Sequence, residues 1–159
     1  MNLQKSNLNY IIYLGLCGAL WLFVVKPMIG EAAFVKHIGW LRKGNFEQSE
    51  KFILKAIKYD PGNSQYHVQA TQMYIKAGDL RRASEHIDQA IFYHNGDMTM
   101  WSVWYLRGNI KSQLRDIEGS KVSYEKSIYY NPEFGPAKKN LESILTFLEN
   151  AEKMGKEKQ

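Results

Sequence analysis

Cysteine is nearly missing from this chain: Cys17 is the only one in 159 residues. A lone cysteine excludes an internal disulfide framework and any cysteine-built metal site, and it leaves the redox compartment open. Proline is scarce, with four residues, and the twelve glycines give no sign of disorder. The glycines stand singly, so there is no phosphate-cradling loop. His37, His67, His86 and His94 have no metal-ligand partner three or four residues away, and there is no CxxCH haem attachment. Ser, His and Asp occur without the arrangement of a catalytic triad. These absences lead to the expectation of a non-enzyme, with no catalytic residue, metal or cofactor. The length fits about one domain. Four Trp, ten Tyr and seven Phe supply the apolar volume for its core.

Charge is missing from one region only. From Ser6 to Val25 there is no charged residue, and the centre reads YIIYLGLCGALWLFVV. Twenty residues of helix reach about 30 Å, the thickness of a bilayer's hydrocarbon core. The run is apolar on every side, unlike a core helix with one polar face. It predicts a single-pass membrane anchor over residues 1–30, with the transmembrane helix at about 6–28, closed by Lys26 and Pro27. A signal peptide is the rival reading. GEA at Gly30–Ala32 has the small-x-small form of a cleavage site, but Lys26 and further residues separate it from the apolar run. Within the run, Gly15, Cys17, Gly18 and Ala19 form a small-residue patch suited to close helix packing in the membrane. Positive charges near the ends favour the bulk of the chain on the cytoplasmic side. The short leading tail favours the opposite orientation, so the side is left open.

Removing Lys5 and Lys26 from the 21 basic residues leaves 19 against 16 acidic ones. The two signs are interspersed, as in EKFILKAIK, which excludes the concentrated basic stripe of a nucleic-acid surface.

Beyond the anchor the sequence repeats. AIKY at Ala56 returns as AIFY at Ala90 and SIYY at Ser127, at intervals of 34 and 37 residues. The register extends upstream. Gly44-Asn45-Phe46 aligns with Gly78-Asp79-Leu80 and with Arg115-Asp116-Ile117. Ser49, Ala83 and Ser120 form a small column; Ile53, Ile87 and Tyr124 form a large one. Phe46, Ser49, Ile53, Ala56 and Ile57 recur at helical spacing on one face. Gly44 and Gly78 suit a left-handed residue where a first helix stops. Arg115 replaces that glycine, so its turn must differ or carry strain. Asp60-Pro61 and Asn131-Pro132 end second helices.

These residues, and WYLRGNI followed by SYEKSIYYNPEFGPAKKNLESI in the third copy, resemble the tetratricopeptide repeat, a helix–turn–helix unit of 34 residues. The resemblance covers about residues 31–150. It implies an all-α solenoid over 31–152, with repeats at about 31–62, 63–96 and 97–132. A capping helix follows at 134–152, with Ala137, Leu141, Ile144, Leu145 and Leu148 inward, and then a frayed tail at 153–159.

The resemblance also implies a protein-binding groove lined by the first helix of each repeat. That places Phe34, Ile38 and Arg42, then Gln65, Gln69, Gln72 and Lys76, then Tyr105, Asn109 and Ser112 along the groove. The inserted residues before the third repeat suggest a second contact patch at Met98, Met100 and Trp101, or a merely lengthened joint. Some members of the family clamp chaperone C-terminal tails with an Asn near the position of His37-Ile38. That Asn is missing, which argues against such tails. The expected role is a membrane-anchored interaction module that scaffolds or assembles a membrane or envelope complex. An accessory subunit held through its transmembrane helix and a processed periplasmic chaperone-like binder are the alternatives.

Overall fold

The computed structural model describes residues 2–94 and 100–156. They are helical throughout, without a strand among them. They divide into two units, one ending at Gly62 and one beginning at Asn63.

In the first unit α1 (Asn2–Leu20) passes through a π-helical turn (Trp21–Val25) into α2 (Lys26–Arg42). Lys26-Pro27 therefore does not close the helix, contrary to the sequence expectation. Pro27 lies in the first turn of α2. A proline ring would clash there with the carbonyl four residues back. The helix widens just before it: the Lys26 N–H bonds to the carbonyl of Trp21, five residues back. The apolar helix Tyr10–Arg42 has 33 residues and its most apolar stretch is unburied. At 1.5 Å per residue it is about 50 Å long, more than a bilayer core needs. The remainder packs on α3 (Phe46–Tyr59), burying Gly30, Ala33 and His37 against Ser49, Ile53 and Ala56. His37 Nδ1 lies 3.1 Å from the Ser49 carbonyl and 2.8 Å from Ser49 Oγ. A ring nitrogen facing a carbonyl must carry the proton, so Nδ1 donates.

The second unit contains α4 (Ser64–Lys76), α5 (Leu80–Phe92), α6 (Met100–Gln113), α7 (Ile117–Tyr130) and α8 (Gly135–Lys156). The pairs α2–α3, α4–α5 and α6–α7 are joined by one kind of turn. Asn45, Asp79 and Asp116 each donate a backbone N–H five residues back, to Trp40, Tyr74 and Lys111, at 3.1, 2.9 and 2.9 Å. The preceding residue is left-handed in each: Gly44 at φ 71°, Gly78 at φ 80° and Arg115 at φ 61°. This is the helix stop that glycine favours. The third turn thus keeps the geometry and carries the strain. A left-handed L-residue costs about 1–2 kcal/mol, partly offset by the entropy glycine loses on folding. Arg115→Gly is expected to stabilise the protein by roughly 0.5–1 kcal/mol, and Gly78→Ala to destabilise it, by urea denaturation.

The same Asn or Asp caps the next helix. Asn45, Asp79 and Asp116 side chains accept from the N–H of Gln48, Arg82 and Gly119 at 3.0, 2.9 and 2.9 Å. The two carboxyls are held below their ordinary range, first by those backbone bonds and then by Arg82 and Lys111. Their stabilising contribution is therefore complete above the unfolded carboxylate value of about 3.9. It is lost as pH falls through the lower folded value. Asn45 has no such titration. The urea midpoint of Asp79→Asn/Asp116→Asn is expected to fall less than that of the native chain between pH 5 and pH 2.5; an equal fall would refute the assignment.

Between the helices the repeat columns close the core. Ser49, Ala83 and Ser120 are fully buried, as are Ala56, Ala90 and Ser127. Ile53 and Ile87 are fully buried and Tyr124 is 3% exposed. Tyr124, Ala137 and Ile144 form one cluster with Leu141 and Leu148 packed on it, so α8 covers the last repeat. Leu145 differs from expectation: it is 40% exposed, as Phe147 is at 57%, because the inward stripe of α8 is narrower than its apolar sequence.

Candidate partner-binding groove

On α6, Trp101, Tyr105, Asn109 and Ser112 follow one another at three or four residues, so they share a face. Its amino-terminal half is aromatic. Phe134 lies 4.4 Å from the Trp101 ring and 4.9 Å edge-on from Tyr105. Trp101 and Tyr105 are thus half-buried against the segment leading into α8.

The other half is polar. Asn109, Ser112, Gln113, Tyr124, Asn140 and Ser143 line a recess of about 360 Å³. Asn109 Oδ1 accepts from the Tyr124 hydroxyl at 2.8 Å and from Asn140 Nδ2 at 3.2 Å. Asn140 Nδ2 also lies 3.2 Å from that hydroxyl. Burial pushes the Tyr124 phenol up, which keeps it a donor. The triad uses the oxygen of Asn109 and the nitrogen of Asn140. The remaining carboxamide atoms, a donor on Asn109 and an acceptor on Asn140, match the N–H and C=O of an extended peptide.

Behind α6, Arg107 ties three helices together. Its Nε donates to Asp88 Oδ1 on α5 at 2.7 Å and its Nη1 to Ser123 Oγ on α7 at 2.7 Å. This fixes the axial position of the recess. On α4, Gln65, Gln69, Gln72 and Lys76 share one face; Gln69 is half-buried and the other three are exposed. In the first unit Phe34 and Ile38 are half-buried and Arg42 is exposed on α2. Met100 is half-buried and Met98 lies outside the described residues.

The family model of the tetratricopeptide repeat matches residues 41–63 and 102–134. The chain carries tetratricopeptide repeats. Solved structures share the fold. The first such domain of Spaghetti (RPAP3), bound to an HSP90 peptide, superposes with a TM-score of 0.67 at 17% identity, over 77% of this chain and 94% of that one. The N-terminal domain of stress-induced protein-1 from C. elegans gives 0.69 at 14% identity, over 75% and 96%. MamA gives 0.69 at 17% identity, over 76% of this chain and 64% of that one. No curated protein matches the sequence.

Within the tetratricopeptide array, sequence reasoning missed the part that the last helix takes in the recess. Asn140 and Ser143 come from α8, read only as a cap. The available signal was a polar Asn140 between the inward Ala137 and Ile144. A second missed feature is a histidine pair. His67 Nδ1 on α4 lies 3.2 Å from His86 Nδ1 on α5, and the rings of Tyr93 and Tyr74 stack on them. One nitrogen donates and the other accepts.

Proposed function

We propose that this protein is a membrane-anchored interaction module, which holds a protein partner in its helical groove beside a bilayer. The observation that carries the reading is the continuous helix Tyr10–Arg42, apolar and unburied in its first part, whose second part is the first helix of the repeat array. The apolar stretch and the first repeat helix are one continuous helix. Cleavage after Ala32 would cut inside α2 and remove Gly30, where a β-carbon would stand 3.4 Å from the Ala56 carbonyl oxygen. That contact favours an uncleaved anchor over a secretory leader. Tethering raises the effective concentration of the groove for partners in the same membrane, which suits a scaffold or assembly factor.

The residues proposed for binding are Phe34, Ile38 and Arg42 in the first unit and, in the second, Gln65, Gln69, Gln72, Lys76, Tyr105, Asn109 and Ser112, with Asn140 and Ser143 added from α8. The partner is an extended peptide segment. Chaperone tails are disfavoured: the clamp Asn is missing near His37-Ile38, and His37 is fully buried on Ser49.

Crosslinking in intact membranes, followed by capture from detergent extract, tests this. Ser112→Arg places an exposed, bulky cation at the rim of the recess and leaves the core untouched. It is expected to lower partner recovery about tenfold or more, the effect of losing one interface hot spot. Undiminished recovery would move binding away from the recess. The small residues Gly15, Gly18 and Ala19 on the unburied apolar helix support the second reading, an accessory subunit held through its membrane helix. Under that reading Gly15→Leu/Gly18→Leu abolishes recovery and Ser112→Arg does not.

A further inference from the structure

Where α2 meets α3, the first unit has a pocket of about 400 Å³ that the repeat architecture does not use. Met28, Ile29, Ala33 and Phe52 make its walls, and Lys36 and Lys55 stand on its rim. The volume falls in the range of about 300–1,000 Å³ usual for ligand sites. The walls are apolar, and both polar groups are cations. Lys36 Nζ sits over the Phe52 ring, 5.5 Å from its centre, so its charge is turned toward the pocket.

The height of the pocket is set by the anchor. The charge-free run ends at Val25, which also lines the pocket. On α3, Ala56 and Tyr59 face Gly30 across the helix pair. Lys55 therefore stands level with about the fifth residue beyond the apolar run, roughly 8 Å along the axis at 1.5 Å per residue. The headgroup layer beyond the hydrocarbon core is about 5–8 Å deep on each side. Lys55 thus lies at the depth of lipid phosphates, while Lys36, eleven residues beyond the run and about 16 Å along the axis, stands above it; the walls nearest the run, Val25, Met28 and Ile29, continue toward the acyl region.

We propose that this pocket holds an anionic phospholipid of the surrounding bilayer. Its phosphate lies against Lys55, with Lys36 above it over the Phe52 ring, and its upper acyl carbons rest on Val25, Met28 and Ile29. The proposal rests on the anchor reading above. A bound lipid would fasten α3 to the bilayer surface as well as α2, and so hold the first helix pair at a fixed height.

The test uses the full chain in nanodiscs of equal phosphatidylglycerol and phosphatidylcholine, with native mass spectrometry of the lipid retained on release. The native chain is expected to retain phosphatidylglycerol preferentially. Each lysine facing an anionic lipid contributes about a fivefold preference, so Lys36→Gln/Lys55→Gln should remove nearly all of it. Lys51→Gln/Lys121→Gln, with the same charge change elsewhere, should not. Ala32→Trp, which fills the pocket without a charge change, should lower retention of both lipids. The proposal is overturned if Lys36→Gln/Lys55→Gln retains phosphatidylglycerol like the native chain, or if the two double variants lose it equally. Alkaline extraction from phosphatidylcholine vesicles separates the two readings. A native chain that washes off overturns the anchor, and this proposal with it. One that stays while the lysine variants show no effect overturns the lipid site alone.

Discussion

Gly108→Thr is expected to destabilise the protein by roughly 2–4 kcal/mol, with Tyr124→Ile in the same chain recovering most of the loss. A β-carbon on Gly108 would stand 2.5 Å from Tyr124 Cε1 and 2.7 Å from Cδ1. That ring is buried, and its hydroxyl is fixed to Asn109 at 2.8 Å, so it has no room to tilt. The cost combines overpacking with loss of a buried hydrogen bond. The other repeats show how it can be relieved. The positions equivalent to Gly108 are His37 and Thr71, and those equivalent to Tyr124 are Ile53 and Ile87. All four are fully buried. A larger group on the first helix thus accompanies Ile on the second, and glycine accompanies Tyr. Tyr124→Ile alone leaves a cavity and is expected to cost about 2 kcal/mol. The double variant recreates the second repeat's pair, so the two costs should cancel in large part. Urea denaturation of all four proteins measures the coupling, and simple additivity would refute the volume exchange. The double variant also lacks the Tyr124 hydroxyl. It should regain stability while the recess stays without its Asn109–Tyr124–Asn140 triad, which separates folding from binding.

That exchange was half legible in the sequence. The columns Ser49/Ala83/Ser120 and Ile53/Ile87/Tyr124 come straight from the period, because a helical repeat must present the same face each time. The Gly44 and Gly78 stops were legible for a local reason, the left-handed residue. Arg115 in the same conformation shows that the turn's hydrogen bonds outweigh its strain. Features that depend on two helices meeting were not legible. His67 and His86 are 19 residues apart and touch only because α4 and α5 are antiparallel. Asn140 joins Asn109 across 31 residues. The π-helical turn at Trp21–Val25 is not legible from Pro27, because proline predicts termination, whereas a helix can also widen one turn and continue. Periodicity likewise counted Leu145 as inward, since an apolar stripe in sequence does not fix how wide a neighbour's surface is. Groove residues were the hardest to read. Their first-helix positions follow from the architecture, but Tyr105 also packs on Phe134, and no local pattern separates a contact made within the chain from one offered to a partner.

Leu16→Arg/Leu20→Arg is expected to abolish membrane retention while leaving the repeat array folded. Both leucines lie on α1, 64% and 56% exposed, so neither contributes to a protein core. Arginine at the centre of a spanning helix costs about 2.5–3.5 kcal/mol on insertion scales, so two cost about 5–7 kcal/mol. Phe23 at 79% and Tyr13 at 69% exposure show that the helix has no sheltered side for a cation. In a carbonate wash the native chain should stay with the membranes and the variant should enter the supernatant. The variant's melting transition should match that of the native chain, because His37–Ser49, Arg107–Asp88 and the Tyr124 cluster are untouched. A native chain that itself enters the supernatant would remove the anchor. The mass of that chain would then tell why. Loss of the residues before Ala33 would indicate a leader cut inside α2, with the first repeat deprived of its contact at Gly30. An intact mass would indicate an apolar helix covered by a protein partner instead of lipid. The small-residue face at Gly15 and Gly18 would then be the place to look for that partner.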